Sequence, residues 1–142
     1  MPYIMPDKSP DISGRIAQGK TGEKQAAEAL EAAGMKIIAK NFRSKFGEID
    51  IIAVDESAGN PASDILVFAE VKAWSAFGIE NLQYSIDIKK QNKIIKTAKY
   101  FLSENRKYSN MSVRFDVVFV KSAKPPERCQ ITHLASAFME RV

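Results

Sequence analysis

Glu48-Ile49-Asp50-Ile51-Ile52-Ala53-Val54 and, beyond a polar loop, Ile65-Leu66-Val67-Phe68-Ala69-Glu70-Val71-Lys72-Ala73 are the two stretches on which the fold turns. Both are rich in the β-branched and aromatic residues that suit a pleated, buried surface, and their length is that of strands. Each nevertheless carries charge. Asp50 sits among Ile49, Ile51, Ile52 and Val54, and Glu70 and Lys72 follow Leu66 and Phe68 on one side of an alternating strand. An ionised carboxylate in such surroundings is costly unless a cation or a hydrogen-bond network compensates it. Two carboxylates and one amine are therefore expected to converge, which is the chemistry of a divalent-metal site with a lysine beside a water. Val71 points its side chain the other way, leaving its backbone carbonyl free to add a hard oxygen ligand.

Working outward, residues 14–33 show helical spacing, with Ile16, Gly19, Glu23, Ala26, Ala27 and Leu30 on one stripe and Gly34 placed as the stop. Glu23 thus faces inward as a third acidic group. Residues 1–13, with Pro2, Pro6 and Pro10, read as a flexible arm, and residues 14–142 as a single domain. Met35 to Lys40 is expected as a short strand and Asn41 to Gly47 as a polar turn. Asp55 to Asp64 should be a hairpin loop. Trp74 to Asn81 is irregular and includes Gly78. A long helix is expected from Ser85 or Asp87 to Glu104, burying Ile94, Ile95, Ala98, Phe101 and Leu102. Lys89, Lys93 and Lys96 lie opposite that face and Lys90 at its margin. Val113 to Val120 alternates as a fourth strand. After Pro125-Pro126, Cys129 to His133 is expected as a short fifth strand and Ala135 to Glu140 as a helical turn. This order implies an α/β domain with a mixed β-sheet flanked by α-helices.

Composition narrows the chemistry. The chain has 142 residues, 45% of them hydrophobic and 27% charged, the profile of one globular domain with a real core. Its single cysteine, Cys129, forms no intramolecular disulfide, and with one histidine, His133, no Cys/His zinc site can be assembled. A metal site would be oxygen-rich, favouring Mg²⁺ or Mn²⁺. No apolar run reaches the roughly 20 residues a bilayer requires, and the N-terminal segment lacks a signal-type apolar core, so a cytoplasmic protein without a membrane partner is expected. The net charge of +4 says little, but Lys89, Lys90, Lys93, Lys96 and Lys99 fall between Ile88 and Phe101 without an acidic residue, a distribution suited to phosphates.

Each acidic residue also has an ordinary explanation. Glu23 could pair with a lysine or arginine, Asp50 could cap a bulge, and Glu70 with Lys72 could form a surface ion pair worth about 1 kcal/mol or less. Arg114 and Asp116 share a strand face and are read as structural partners, as is His133. A shared metal site accounts for inward Glu23, Asp50 and Glu70 with one cause.

At this point the motifs Thr21-Gly22-Glu23, Lys40-Asn41-Phe42-Arg43, Gly47-Glu48-Ile49-Asp50, Val67 to Lys72, Phe77-Gly78, Lys90-Gln91 and Arg114-Phe115-Asp116-Val117-Val118 matter together. In their order and spacing they resemble the YraN family of predicted endonucleases, over residues 14–138. That family is similar to archaeal Holliday-junction resolvases and the restriction-endonuclease-like superfamily. The resemblance implies an Asp…Glu-x-Lys core at Asp50, Glu70 and Lys72, with Glu23 as the helix glutamate and Lys90 as the helix lysine. It further implies a Mg²⁺- or Mn²⁺-dependent endodeoxyribonuclease in which Asp50, Glu70 and the Val71 carbonyl bind metal, Glu23 adds a direct or water-mediated ligand, and Lys72 positions a water. Nucleic acid, DNA before RNA, would be met by Arg43, Lys89, Lys90, Lys93 and Lys96, and a homodimer would suit an enzyme addressing two strands. Trp74 stands where the family commonly has arginine. Stacking on an unpaired base and packing at a strand end are both open to it. The rival functions are a non-catalytic nucleic-acid-binding module on the same fold and an interaction protein whose acidic cluster pairs internally with Lys72 and Lys90.

Overall fold

A computed structural model describes residues 12–73, 86–121 and 127–140, with side chains described from residue 22 onward. The elements run α1 (Ile12–Ala32), β1 (Met35–Ser44), β2 (Gly47–Asp55), β3 (Ile65–Ala73), α2 (Ile88–Glu104), β4 (Ser112–Lys121) and β5 (Gln130–Phe138). The strands form one sheet in the order β1-β2-β3-β4-β5. Only β3 and β4 pair in parallel, as Ile65↔Ser112 through Ala73↔Val120, and α2 lies between them in the chain. The other pairings are antiparallel. This is a mixed five-stranded α/β fold consistent with the restriction-endonuclease-like type.

Period-two alternation decides how the sheet is covered. Val67 and Ala69 of β3 meet Ala26, Ala27 and Leu30 of α1, together with Ile51, Ala53, Val118 and Val120. Leu66 and Phe68 meet Ile94, Ile95, Ala98 and Phe101 of α2, together with Ile52, Val54 and Phe115. Close approach of α1 depends on Gly22, where a Cβ would lie 3.1 Å from Val120 Cγ1. The start of α2 is fixed by Asp87, whose Oδ1 accepts from Lys90 N at 2.8 Å.

Two local expectations are corrected. The polar turn expected over Asn41 to Gly47 is mostly strand, since β1 continues to Ser44 and only Lys45 and Phe46 turn. Phe42 provides the anchor, with its ring 5.2 Å from Phe101, and Asn41 accepts a left-handed backbone (φ 53) within the strand. The helical turn expected over Ala135 to Glu140 is also absent, because β5 runs on to Phe138. There the ladder with β4 outweighs local preference: Phe138 pairs with Phe115, the rings stack at 5.1 Å, and the register slips at Ser136 (φ 52). The expected Trp74 and Phe77-Gly78 features and the Pro125-Pro126 break lie outside the described residues. No described helix is long and apolar enough to cross a membrane.

Arg114 and Asp116 pair with one another, as their shared strand face suggested. Asp116 is fully buried. It accepts from Arg114 Nε at 2.8 Å and Nη2 at 2.9 Å, from Ser136 N at 3.0 Å, and from His133 Nε2 at 2.7 Å. Arg114 Nη1 reaches on to Asp55 Oδ2 at 2.9 Å, joining β2, β4 and β5. Burial alone would raise the Asp116 pKa, but the hydrogen bonds from His133, Arg114 and the Ser136 amide hold it below the usual carboxylate range.

Candidate active site

β2 and β3 hold their ladder only as far as Ile51↔Ala69. Beyond that pair the strands part, and the Asp50 carboxylate enters the gap, Oδ2 accepting from Val71 N at 2.7 Å. Ile49 faces α2 while Ile51 faces α1, so the alternation of β2 slips at Asp50. On the other flank, Lys40↔Ile51 and Phe42↔Ile49 leave Asn41 opposite Asp50 without a ladder pairing. The slip brings the Asp50 side chain toward β3 instead of burying it under a helix.

Glu70 continues the face of Leu66 and Phe68 and forms a hydrogen bond with Asp50. Two carboxyl groups this close cannot both stay ionised at little cost. Burial first, then the hydrogen bond and charge of Glu70, push the Asp50 pKa up to about 9, against the opposing Val71 amide. Lys90 then approaches from the first turn of α2, its Nζ 3.1 Å from Glu70 Oε2. Burial works against the Lys90 charge, yet the charge and hydrogen bond of Glu70 dominate and hold its pKa above the usual lysine value.

Lys72 lies two residues beyond Glu70 on the same strand face, half-buried, and among the described residues it has no ion-pair partner. Glu23 is half-buried on α1. Its pKa is raised by burial and by the charge of Glu48, with Lys40 pulling the other way, and its own charge adds to the rise at Asp50. Among the described residues no group of three or more His, Cys, Asp or Glu side chains is set to hold a metal. The structure thus brings Asp50 and Glu70 together as a pair and leaves Glu23 coupled to them through its field. Val71 meets Asp50 through its amide, a contact the sequence reading missed.

The expected nucleic-acid residues are spread around this pair. Lys89, Lys93 and Lys96 are exposed on α2. Arg43 is tied to Glu48 across the β1–β2 hairpin, Nε to Oε2 3.4 Å. Asn41 was also missed: its Oδ1 is buried without a hydrogen-bond partner. A buried acceptor lacking a donor is a group that a hard cation or its water would satisfy. The Asp50 and Glu70 carboxyl groups are oxygen donors, the chemistry that suits Mg²⁺ or Mn²⁺ better than zinc.

Relatives place the chain. The model of the uncharacterised protein family UPF0102 matches residues 22–120, which include Glu23, Asp50, Glu70, Lys72 and Lys90. A UPF0102 protein of Treponema denticola is 45% identical over 121 residues, covering 84% of this chain and 93% of the relative. One from Persephonella marina is 39% identical over 121 residues, covering 85% and 92%. Among solved structures, Pyrococcus furiosus SfsA in complex with Ca²⁺ matches at 14% identity over 85% of this chain and 63% of its own length, with a TM-score of 0.28. A likeness that loose carries no argument about function. The chain belongs to the uncharacterised protein family UPF0102, the YraN group whose motifs it resembles.

Proposed function

We propose that this protein is a Mg²⁺- or Mn²⁺-dependent endonuclease of the restriction-endonuclease-like superfamily, hydrolysing DNA phosphodiester bonds in the cytoplasm. The observation that carries the proposal is the hydrogen-bonded Asp50–Glu70 pair at the parting of β2 and β3, with Lys72 following on the Glu70 face. Asp50 and Glu70, with the Val71 carbonyl and Glu23 directly or through water, would hold a divalent cation, which would supply charge neutralisation at the phosphate and a more acidic water. Lys72 orients that water and stabilises negative charge developing on the phosphate. Lys90 fixes the direction of the Glu70 carboxylate through their ion pair. Lys89, Lys93, Lys96 and Arg43 contribute the phosphate contacts, and two copies of the chain would address two strands.

The test is a panel of branched, flapped, single-stranded and duplex DNAs with Mn²⁺, comparing wild type with Asp50→Ala and Lys72→Ala. Cleavage is expected from wild type and from neither variant; cleavage that persists unchanged in both sinks the assignment. The Lys90–Glu70 ion pair gives one rival a footing, because it compensates Glu70 without a metal. That rival, an interaction protein, would show no saturable Mn²⁺ uptake by calorimetry and no nucleic-acid affinity above background, whereas a non-catalytic binding module would show salt-sensitive DNA affinity without cleavage.

A further inference from the structure

The tip of the β1–β2 hairpin presents a feature that the carboxylate site does not use. Phe46 is 38% exposed and Tyr100 of α2 is 37% exposed. Their ring centroids lie 6.4 Å apart at 62°, and Tyr100 is 6.1 Å from Phe42. Lys45 holds its ammonium 5.2 Å from the Phe46 ring centre. The tip is seated on α2 through Gly47, where a Cβ would meet Thr97 Oγ1 at 3.3 Å and Lys93 Cβ at 3.6 Å. The rings are therefore fixed relative to the helix.

Along α2, Lys89, Lys93, Lys96 and Tyr100 recur at spacings of four, three and four, so they fall within an arc of about 60°. All four are exposed, and no acidic residue interrupts the helix before Glu104. The stripe is about 16 Å long from Lys89 to Tyr100. Its first end adjoins Lys90 and hence Glu70; its second ends at the aromatic pair. Mutual packing still leaves each ring more than a third exposed, and a phosphate-charged strand with free base faces would use both the cations and the rings.

We propose that Phe46 and Tyr100 form a stacking platform for unpaired bases, reached by a strand whose phosphates follow Lys89, Lys93 and Lys96. The ligand is nucleic acid with a single-stranded segment, not blunt duplex. This rests on the nucleic-acid reading above and specifies its substrate class. The experiment is fluorescence anisotropy in EDTA, so that nothing is cut, with a labelled oligothymidylate and a blunt duplex of equal length. Phe46→Ala, a change at an exposed position, should weaken oligothymidylate binding about tenfold and leave the duplex unchanged, and Phe46→Trp should retain wild-type affinity. Lys93→Ala should weaken both and reduce the salt slope by about one.

If wild type binds both DNAs and Phe46→Ala affects neither, or both equally, the platform is wrong while the nucleic-acid function stands. If wild type binds neither, both fall. A dimer that dissociates on Phe46→Ala while oligothymidylate binding stays intact would assign the rings to a second copy of this chain and overturn the proposal.

Discussion

Replacing Asp50 by asparagine should make the metal-free protein more stable at neutral pH. Asp50 carries an ordinary carboxyl value of 3.8 that the folded state pushes up to about 9. At pH 7 the side chain is ionised in the unfolded chain and protonated in the folded one, so folding takes up a proton at a cost of at most about 4 kcal/mol. Relaxation around the site and residual structure in the unfolded chain bring the expected gain to about 1–3 kcal/mol. Asparagine is a close mimic of the protonated acid. Its Oδ1 can accept from the Val71 amide and its Nδ2 can donate to Glu70, preserving both contacts. For a chain of this length the gain corresponds to a rise in Tm of about 3–10 °C.

The sign of the pH dependence follows from the direction of the shift. A raised carboxyl pKa costs nothing below about pH 4, where both states are protonated, and costs progressively more up to about pH 9. Thermal unfolding of wild type and Asp50→Asn in EDTA at pH 4, 7 and 9 measures this directly. The difference should be small at pH 4 and largest at pH 9. An asparagine variant that melts at or below wild type at pH 7, or above it by a margin that does not change with pH, would refute the raised Asp50 pKa.

Asp116→Ala should cost about 2–4 kcal/mol in urea unfolding, because it removes the buried acceptor shared by Arg114, His133 and the Ser136 amide and leaves Arg114 with Asp55 alone. The Asp116 and Asp55 pKa values are held below the ordinary value of 3.8, so their contribution is present above about pH 4 and lost as pH falls through the folded values. Asp116→Ala should accordingly show a shallower acid limb than wild type in a plot of stability against pH. Gly34→Ala should destabilise by about 1–3 kcal/mol, seen as a lower urea midpoint at unchanged m, since Gly34 has φ 97 and a Cβ there would sit 2.9 Å from Ser57 Cβ.

The sequence was most legible where a single period governs a segment. Ile65–Ala73 alternates cleanly between two covered faces, so the strand and the placement of Glu70 and Lys72 on the Leu66–Phe68 side could both be read directly. Helix α2 was equally plain, down to Lys90 at the margin of its buried face and Asp87 as a start. Illegible features depend on partners distant in sequence. The last residues of β5 look helical by themselves and are held extended by Phe115 and Asp116 of β4. Asn41 comes opposite Asp50 only because the β1–β2 register shifts between Ile37 and Ala39 and Asn41 accepts a positive φ. The meeting of Phe46 with Tyr100 requires the hairpin to rest on α2 at Gly47, a contact that no local pattern announces.

The order of β2, β3 and α2 along the polypeptide carries a consequence for synthesis. Both acids belong to strands joined by a short hairpin loop, whereas Lys90 arrives on a later helix whose sheet neighbours include β4, further on still. On a ribosome, Asp50 and Glu70 can meet before the ammonium group that will accompany them has emerged. A carboxyl group whose burial favours the protonated form lets the two coexist during that interval, so β2 and β3 can pair before Lys90 leaves the exit tunnel.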